Sequence, residues 1–289
     1  MIDLHVHTSA SDGQYDVHEI IEIAYQNGID TLAIVDHDTV KVVDEAIKLG
    51  KENNITVIPG IEVSATYEHT MHILGYFVDI HNQNFLETLQ LLENSRNNRN
   101  DRYINQFHNM GIDISIDDVR KYATGSIIGK PHFAKALLEK GYINDYLEAF
   151  TKYFSLEEFK SIRRDGLSPE DVIKLIRNAG GIPVLAHPKS LKLEGEDLEK
   201  KILELKGYGL MGIECFYSYN SNEQMKNSIE IAKRNKLLIT GGTDFHGEMM
   251  DSTLKMGTGI NNNVSVPRSV VNNLMKAKDK IERSDECEL

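Results

Sequence analysis

Short apolar runs alternate with stretches of helical spacing along this chain, and nearly every apolar run closes on a histidine or an acid. Residues 2–7 alternate at period two, with Leu4 and Val6 on one side and Asp3, His5 and His7 on the other. Residues 16–27 carry Val17, Ile20, Ile21 and Ala24 at helical spacing, with Gly28 placed to cap the C-terminus. The alternation continues with a strand at 31–35, a helix at 41–53, a strand at 55–58 broken by Pro59-Gly60, and a strand at 71–78. It resumes with a helix at 168–179, where Ser168 is the N-cap and Pro169 the first helical residue. Strands at 182–186, 210–215 and 237–240 then alternate with helices at 197–208 and 222–235. A closing helix at 266–280 leads to a frayed acidic tail at 282–289. Such an order predicts parallel strands joined by right-handed crossovers, hence an α/β chain of about seven strands closing into a barrel.

Between the two halves the rhythm changes. Residues 82–165 show helical stretches at 85–110, 116–122, 131–140 and 156–162 and no convincing strand. This predicts a helical insertion over one end of the barrel, flanked by barrel segments 1–81 and 166–289.

In a β/α barrel the working side chains gather at the C-terminal ends of the strands. His5 and His7 lie late in the first strand, with Asp12 in the turn that follows. His37, Glu62, His187 and the Asp244-x-His246 pair follow later strands, while His72 departs from the rule and lies early in its own. On one strand face the imidazoles of His5 and His7 stand about 7 Å apart along the backbone and can converge on one ion. Taken singly, each cluster has a plainer explanation: paired core histidines, an Asp-Gly turn, a loop carboxylate. Their joint recurrence at strand ends points to metal. Imidazole and carboxylate without thiolate suit zinc, manganese or iron. The nine candidates exceed the coordination of one ion and suffice for two or three if a carboxylate bridges.

Bulk properties narrow the partners. The 289 residues are 40% hydrophobic and carry a formal net charge of −12, which disfavours a stable grip on duplex nucleic acid. Bound cations would still make the metal rim locally positive and attractive to phosphate. Cys215 and Cys287 form no CxxC pattern, no apolar leader opens the chain, and no stretch approaches the ~20 apolar residues of a membrane span. The expectation is a cytoplasmic protein with no membrane contact. Within the insertion, Arg96, Arg99 and Arg102 share one helix face, as either a solvated stripe or an anion site. His132 falls at a helix start, where backbone N–H groups favour an anion.

The ordered motifs His5-x-His7, Ser11-Asp12-Gly13, TLAIVDHDT at 31–39, PGIE at 59–62, HILGY at 72–76, AHP at 186–188 and GTDFH at 242–246 resemble the PHP (polymerase and histidinol phosphatase) family of metal-dependent phosphoesterases. The resemblance runs through nearly the whole chain. It implies a distorted (β/α)7 barrel with a trinuclear site at its mouth. It also implies one ion held by His5, His7, Glu62 and Asp244, a second by Glu62, His72 and His187, and a third by Asp12, His37 and His246. Asp36 and Asp38 would support His37 without ligating. The helical insertion resembles that of the subgroup acting on nucleotides, which removes the 3′-phosphate of 3′,5′-bisphosphonucleotides or digests short single-stranded oligonucleotides from a 5′-phosphate. There Arg99, Lys130 and His132 would contact substrate phosphate, Lys130 standing where the family commonly has arginine. A metal-bridging hydroxide would attack phosphorus. The competing expectations are a histidinol-phosphate phosphatase and, in another class, a non-catalytic metal-binding regulatory module.

Overall fold

The computed structural model describes residues 1–287. Seven strands form one sheet in sequence order: β1 Ile2–Val6, β2 Thr31–Ile34, β3 Thr56–Ala65, β4 Met71–Tyr76, β5 Ile182–Leu185, β6 Gly212–Tyr217 and β7 Leu238–Gly242. The chain beyond β7 closes the barrel against β1: the N–H of Asp244 donates to the His5 carbonyl at 2.8 Å, and that of His7 to the Phe245 carbonyl at 3.0 Å. Gly242 makes the approach feasible, since a Cβ there would stand 2.3 Å from the His5 nitrogen and 2.4 Å from its Cβ. Leu4, Ile58, Leu74, Ile182 and Val184 are buried together in one apolar cluster with Val270, Val271 and Leu274 of the closing helix.

Helices cover the outside. α1 Val17–Gln26 starts with a capping box between Asp16 and Glu19 and buries Val17, Ile20, Ile21 and Ala24 against the sheet. α2 Val43–Glu52, α8 Pro169–Asn178, α9 Gly195–Tyr208, α10 Asn222–Arg234 and α11 Arg268–Cys287 complete the layer. Ser168 caps α8 by accepting from the Asp171 N–H at 3.1 Å. α11 continues to Cys287, into the stretch expected as a frayed tail, whose last residues, 288–289, lie outside the described region. No helix among the described residues is long and apolar enough to cross a membrane.

Two expectations need correction. The strands are not all parallel: β4 runs antiparallel to both β3 and β5. Only residues 66–70 separate β3 from β4, too few for a crossover, which takes about a dozen residues or more. Nor does Pro59-Gly60 break β3. The strand runs on to Ala65, so Glu62 lies within it rather than after it. Reversal of β4 also explains the odd placement of His72, because the start of an antiparallel strand lies at the rim where its parallel neighbours end. His72 sits opposite Ser64 in that register.

The helical segment carries α3 Gln83–Asn109, α4 Ile116–Arg120, α5 Lys130–Glu139, α6 Glu148–Lys152 and α7 Glu157–Lys160. α6 was not foreseen. These helices hold their own aromatic core, in which Phe107 lies 4.6 Å from Phe159 and 6.0 Å from Phe133 between ring centres. The segment rests on the loop after β1: the Thr124 hydroxyl donates to the Ser9 carbonyl at 2.8 Å, and the Gly125 N–H to the same oxygen at 3.2 Å.

Candidate metal centre

The nine residues singled out above meet at one rim. Around His5 and His7 the donor spacings are nearly uniform. His5 Nε2 lies 3.1 Å from His7 Nε2, 3.4 Å from Glu62 Oε2 and 3.2 Å from Asp244 Oδ1. His7 Nε2 lies 3.2 Å from that Glu62 oxygen and 3.3 Å from that Asp244 oxygen. Donors held tetrahedrally at 2.0–2.1 Å from one ion would stand roughly 3.3 Å from each other. These four side chains therefore fit a divalent cation without rearrangement.

Glu62 turns its other oxygen elsewhere. Oε1 lies 2.9 Å from His72 Nδ1 and 2.9 Å from His187 Nε2. A third group joins Asp12 to His37, His246 and His7: Asp12 Oδ1 is 3.4 Å from His246 Nε2, and Asp12 Oδ2 is 3.8 Å from His37 Nε2. His37 faces two ways, since its Nδ1 stands 3.1 Å from Glu62 Oε2. Among the described residues the close donor groups are thus His7, Asp12, His37 and His246, then His5, His7, Glu62 and Asp244, then His37, Glu62 and His72, with His187 reaching Glu62 beside the last. Three buried donor atoms have no hydrogen-bond partner: His7 Nδ1, His37 Nδ1 and Glu62 Oε2. Orphaned lone pairs at full burial are costly, and a cation is the partner they lack.

The electrostatics agree. Burial alone would raise the pKa of Glu62, but His72, His37 and His5 outweigh it and hold the carboxyl well below its usual range. Asp12 is held down against burial by His37 and His246, and Asp244 by His5 and His246. Burial lowers His37 to about 3, so its ring is neutral, with one nitrogen lone pair and one N–H. His7 goes the other way, up to about 10, because contacts with Asp244 and Glu62 overcome its burial. Acids stay ionised and imidazoles crowd them, an arrangement in which cations can displace protons.

Supporting residues hold the rim. Asp36 accepts from the Thr8 N–H at 2.8 Å, the Thr8 hydroxyl at 2.6 Å and the Ser11 hydroxyl at 2.6 Å, which ties the Asp12 turn to β2. Asp38 pairs with Arg96 and, at 2.7 Å, with Arg164. Two acids escaped the sequence reading. Asp3 accepts from the Thr243 N–H and hydroxyl at 2.8 and 2.6 Å and from the Gly257 N–H at 2.8 Å. Glu214 is fully buried in β6, beside His5 and His187. Its place between Ile213 and Cys215 was the available signal: an acid inside an apolar strand needs partners.

The basic stripe on α3 is not a solvated face. Arg96 and Arg99 are buried; Arg102 is exposed and donates to the Arg163 carbonyl. Arg99, Lys130, Lys160, Arg163, Arg164 and Lys192 line a cavity of about 440 Å³ that also reaches Ser64 and Ser190, next to the rim. Arg99 is 9% exposed, and neither it nor Lys130 makes an ion pair among the described residues. Burial, then Arg99, lowers Lys130 to about 8. His132 stands at the third position of α5, whose cap residue Gly129 approaches Asp12: a Cβ there would lie 3.5 Å from Asp12 Oδ2.

The PHP domain family profile matches residues 3–165, more than half of the chain. The chain belongs to the PHP-domain phosphoesterases. A 5′-3′ exoribonuclease of Haemophilus influenzae is 30% identical over 84% of this chain and 89% of its own length. A 3′,5′-nucleoside bisphosphate phosphatase of Chromobacterium violaceum is 29% identical over 85% of this chain and 87% of its own. In solved structures, a candidate metal-dependent phosphoesterase of Bifidobacterium adolescentis superposes with a TM-score of 0.82 at 27% identity, covering 95% of each chain. This PHP phosphoesterase is therefore a hydrolase on a seven-stranded barrel, with several clustered His, Asp and Glu groups suited to metal.

Proposed function

We propose that this PHP phosphoesterase hydrolyses phosphate esters of nucleotides or short single-stranded oligonucleotides, with manganese, iron or zinc as the working metal. The observation that carries the metal part is Glu62, whose two oxygens face different histidine sets. On this reading His5, His7, Glu62 and Asp244 hold one ion, Glu62, His72 and His187 a second, and Asp12, His37 and His246 a third. Divalent ions there supply Lewis-acid activation of water and of the phosphoryl oxygens.

The protein's own side chains do the rest. Arg99 is a nearly buried guanidinium with no ion-pair partner among the described residues, a costly state that an anionic ligand would relieve. Lys130 adds a point charge without a bidentate fork. The Gly129 N–H donates to His132 Nδ1 at 3.0 Å, which leaves the proton on Nε2, so this ring offers an N–H to a phosphate oxygen. The cationic cavity beside the rim suits a second phosphate on the same substrate, which a nucleotide bisphosphate or a 5′-phosphorylated strand has and histidinol phosphate lacks. The names of the two bacterial relatives support the same substrates. We treat residues 82–165 as the insertion carrying this cradle, and place the protein in the cytoplasm, where Cys215, a buried unpaired thiol, remains reduced.

Side-by-side assays with adenosine 3′,5′-bisphosphate, a 5′-phosphorylated short RNA and histidinol phosphate test the reading. Turnover of either of the first two, dependent on added manganese, is expected. Turnover of histidinol phosphate alone would overturn the nucleotide assignment, and a metal-loaded protein inert on all phosphoesters would favour a regulatory module.

A further inference from the structure

Besides Glu62, the buried carboxylate of Glu214 touches both a residue of the His5–His7 group and a residue of the His72–His187 group. Its Oε1 lies 2.8 Å from His5 Nδ1, and its Oε2 accepts from the His187 backbone N–H at 2.7 Å. Both contacts are fully buried. His187 needs that anchor, because its backbone stands at φ 27°, ψ 68°, a strained conformation for a residue with a side chain.

We propose that Glu214 is a positioning residue that sets the proton of His5 and the backbone of His187 together, so that two metal positions are assembled as a unit. This rests on the reading of His5 and His187 as ligands. A backbone N–H can only donate, so Oε2 must accept. With Glu214 as a carboxylate, Oε1 is a second acceptor, so on this proposal Nδ1 of His5 carries the hydrogen and Nε2 keeps its lone pair. Nε2 is the atom that faces His7, Glu62 and Asp244. A carboxylate on the far nitrogen of a ligating imidazole fixes its tautomer and raises its basicity.

Glu214→Gln separates this role from simple packing, because an amide of the same shape has one acceptor where the site needs two. With its oxygen on the His187 N–H, the amide NH₂ faces His5 Nδ1 and drives the proton to Nε2, which removes the lone pair. With the amide reversed, two donors confront each other at His187, and the strained turn is released.

The test is a count of metal per chain after manganese loading and gel filtration, with the zinc-loaded wild type examined by proton and ¹⁵N NMR. Wild type is expected to retain at least two ions per chain and E214Q at least one fewer. The wild-type spectrum should show His5 protonated at Nδ1, with a downfield N–H resonance absent from E214Q. Equal loading of both proteins would overturn the role of Glu214 while leaving the ligand reading intact. Failure of the wild type to retain metal would overturn both. If E214Q does not fold, the wild-type spectrum still decides: a His5 ring protonated at Nε2 in the loaded protein contradicts the proposal.

Discussion

Arg164 Nη1 lies 2.7 Å from Asp38 Oδ2, so the exit of the helical segment is fastened to the residue that follows His37. Arg96 on α3 reaches the same oxygen. One buried carboxylate thereby joins both α3 and the exit of the helical segment to the metal rim. Breaking such a buried arrangement from one side leaves guanidinium charge uncompensated, at about 3–5 kcal/mol. Asp38→Asn should lose stability of that order in urea titrations at pH 7, and a loss below 1 kcal/mol would argue against the clamp. The pH dependence has a definite sign. Burial would raise Asp38, but Arg164 and Arg96 hold it well below its ordinary 3.8. A depressed carboxyl contributes its full stability above the unfolded pKa and loses it as pH falls through that value toward the folded one. The gap between wild type and Asp38→Asn should stay flat from pH 7 to about 5 and narrow only below about 4.

Glu62 is expected to be the least replaceable donor, because each of its oxygens serves a different group of imidazoles. Glu62→Gln should lower kcat by more than the 10–100-fold typical of outer partners and should reduce bound manganese. An unchanged metal count would show that the carboxylate bridges nothing.

Arg99 should matter more for substrates with two phosphates than for those with one. A hydrogen bond to a charged group is worth about 1.5–3 kcal/mol, so Arg99→Gln should raise KM for adenosine 3′,5′-bisphosphate by roughly 10–100-fold. Hydrolysis of a simple phosphate monoester should change little. Equal losses on both would place Arg99 at the reacting phosphate rather than in the cradle.

His132 acts in this account as a neutral donor. Burial lowers its pKa to about 4, so it carries no charge to lose between pH 5 and 9. His132→Gln, which keeps an N–H near the position of Nε2, should retain more activity than His132→Ala. Neither change should remove a limb from the pH profile of kcat/KM above pH 5. Disappearance of a limb near 6.5 in His132→Ala would instead make the ring a proton-transfer group.

The helical segment of α3 to α7 should depend on its aromatic centre. Phe107 is fully buried among Phe133, Phe154 and Phe159, and Phe107→Ala should cost about 3–5 kcal/mol. Hydrogen exchange is expected to show the loosening in α3, α5 and α7 while β1 to β7 stay protected.

Much of this was legible in the sequence because metal-type donors are conspicuous when they end apolar runs. His5, His7 and Asp244 lie where a parallel barrel puts its working residues. His72 looked misplaced because period and composition do not reveal strand direction; only the short 66–70 connection hinted at a hairpin. Glu214 was hidden by its apolar neighbours, and Asp3 by the two histidines beside it. Arg96 and Arg99 were ambiguous for another reason. Helical spacing puts residues on a common face but does not say whether that face meets water or Asp38.

The central claim is that these side chains gather divalent cations at the barrel rim. Anomalous diffraction at the manganese edge, from crystals grown with that metal, tests it most directly. The account predicts strong peaks between His5, His7, Glu62 and Asp244, and between Glu62, His72 and His187. A map without peaks at these positions, from protein shown to be active on phosphoesters, would contradict it.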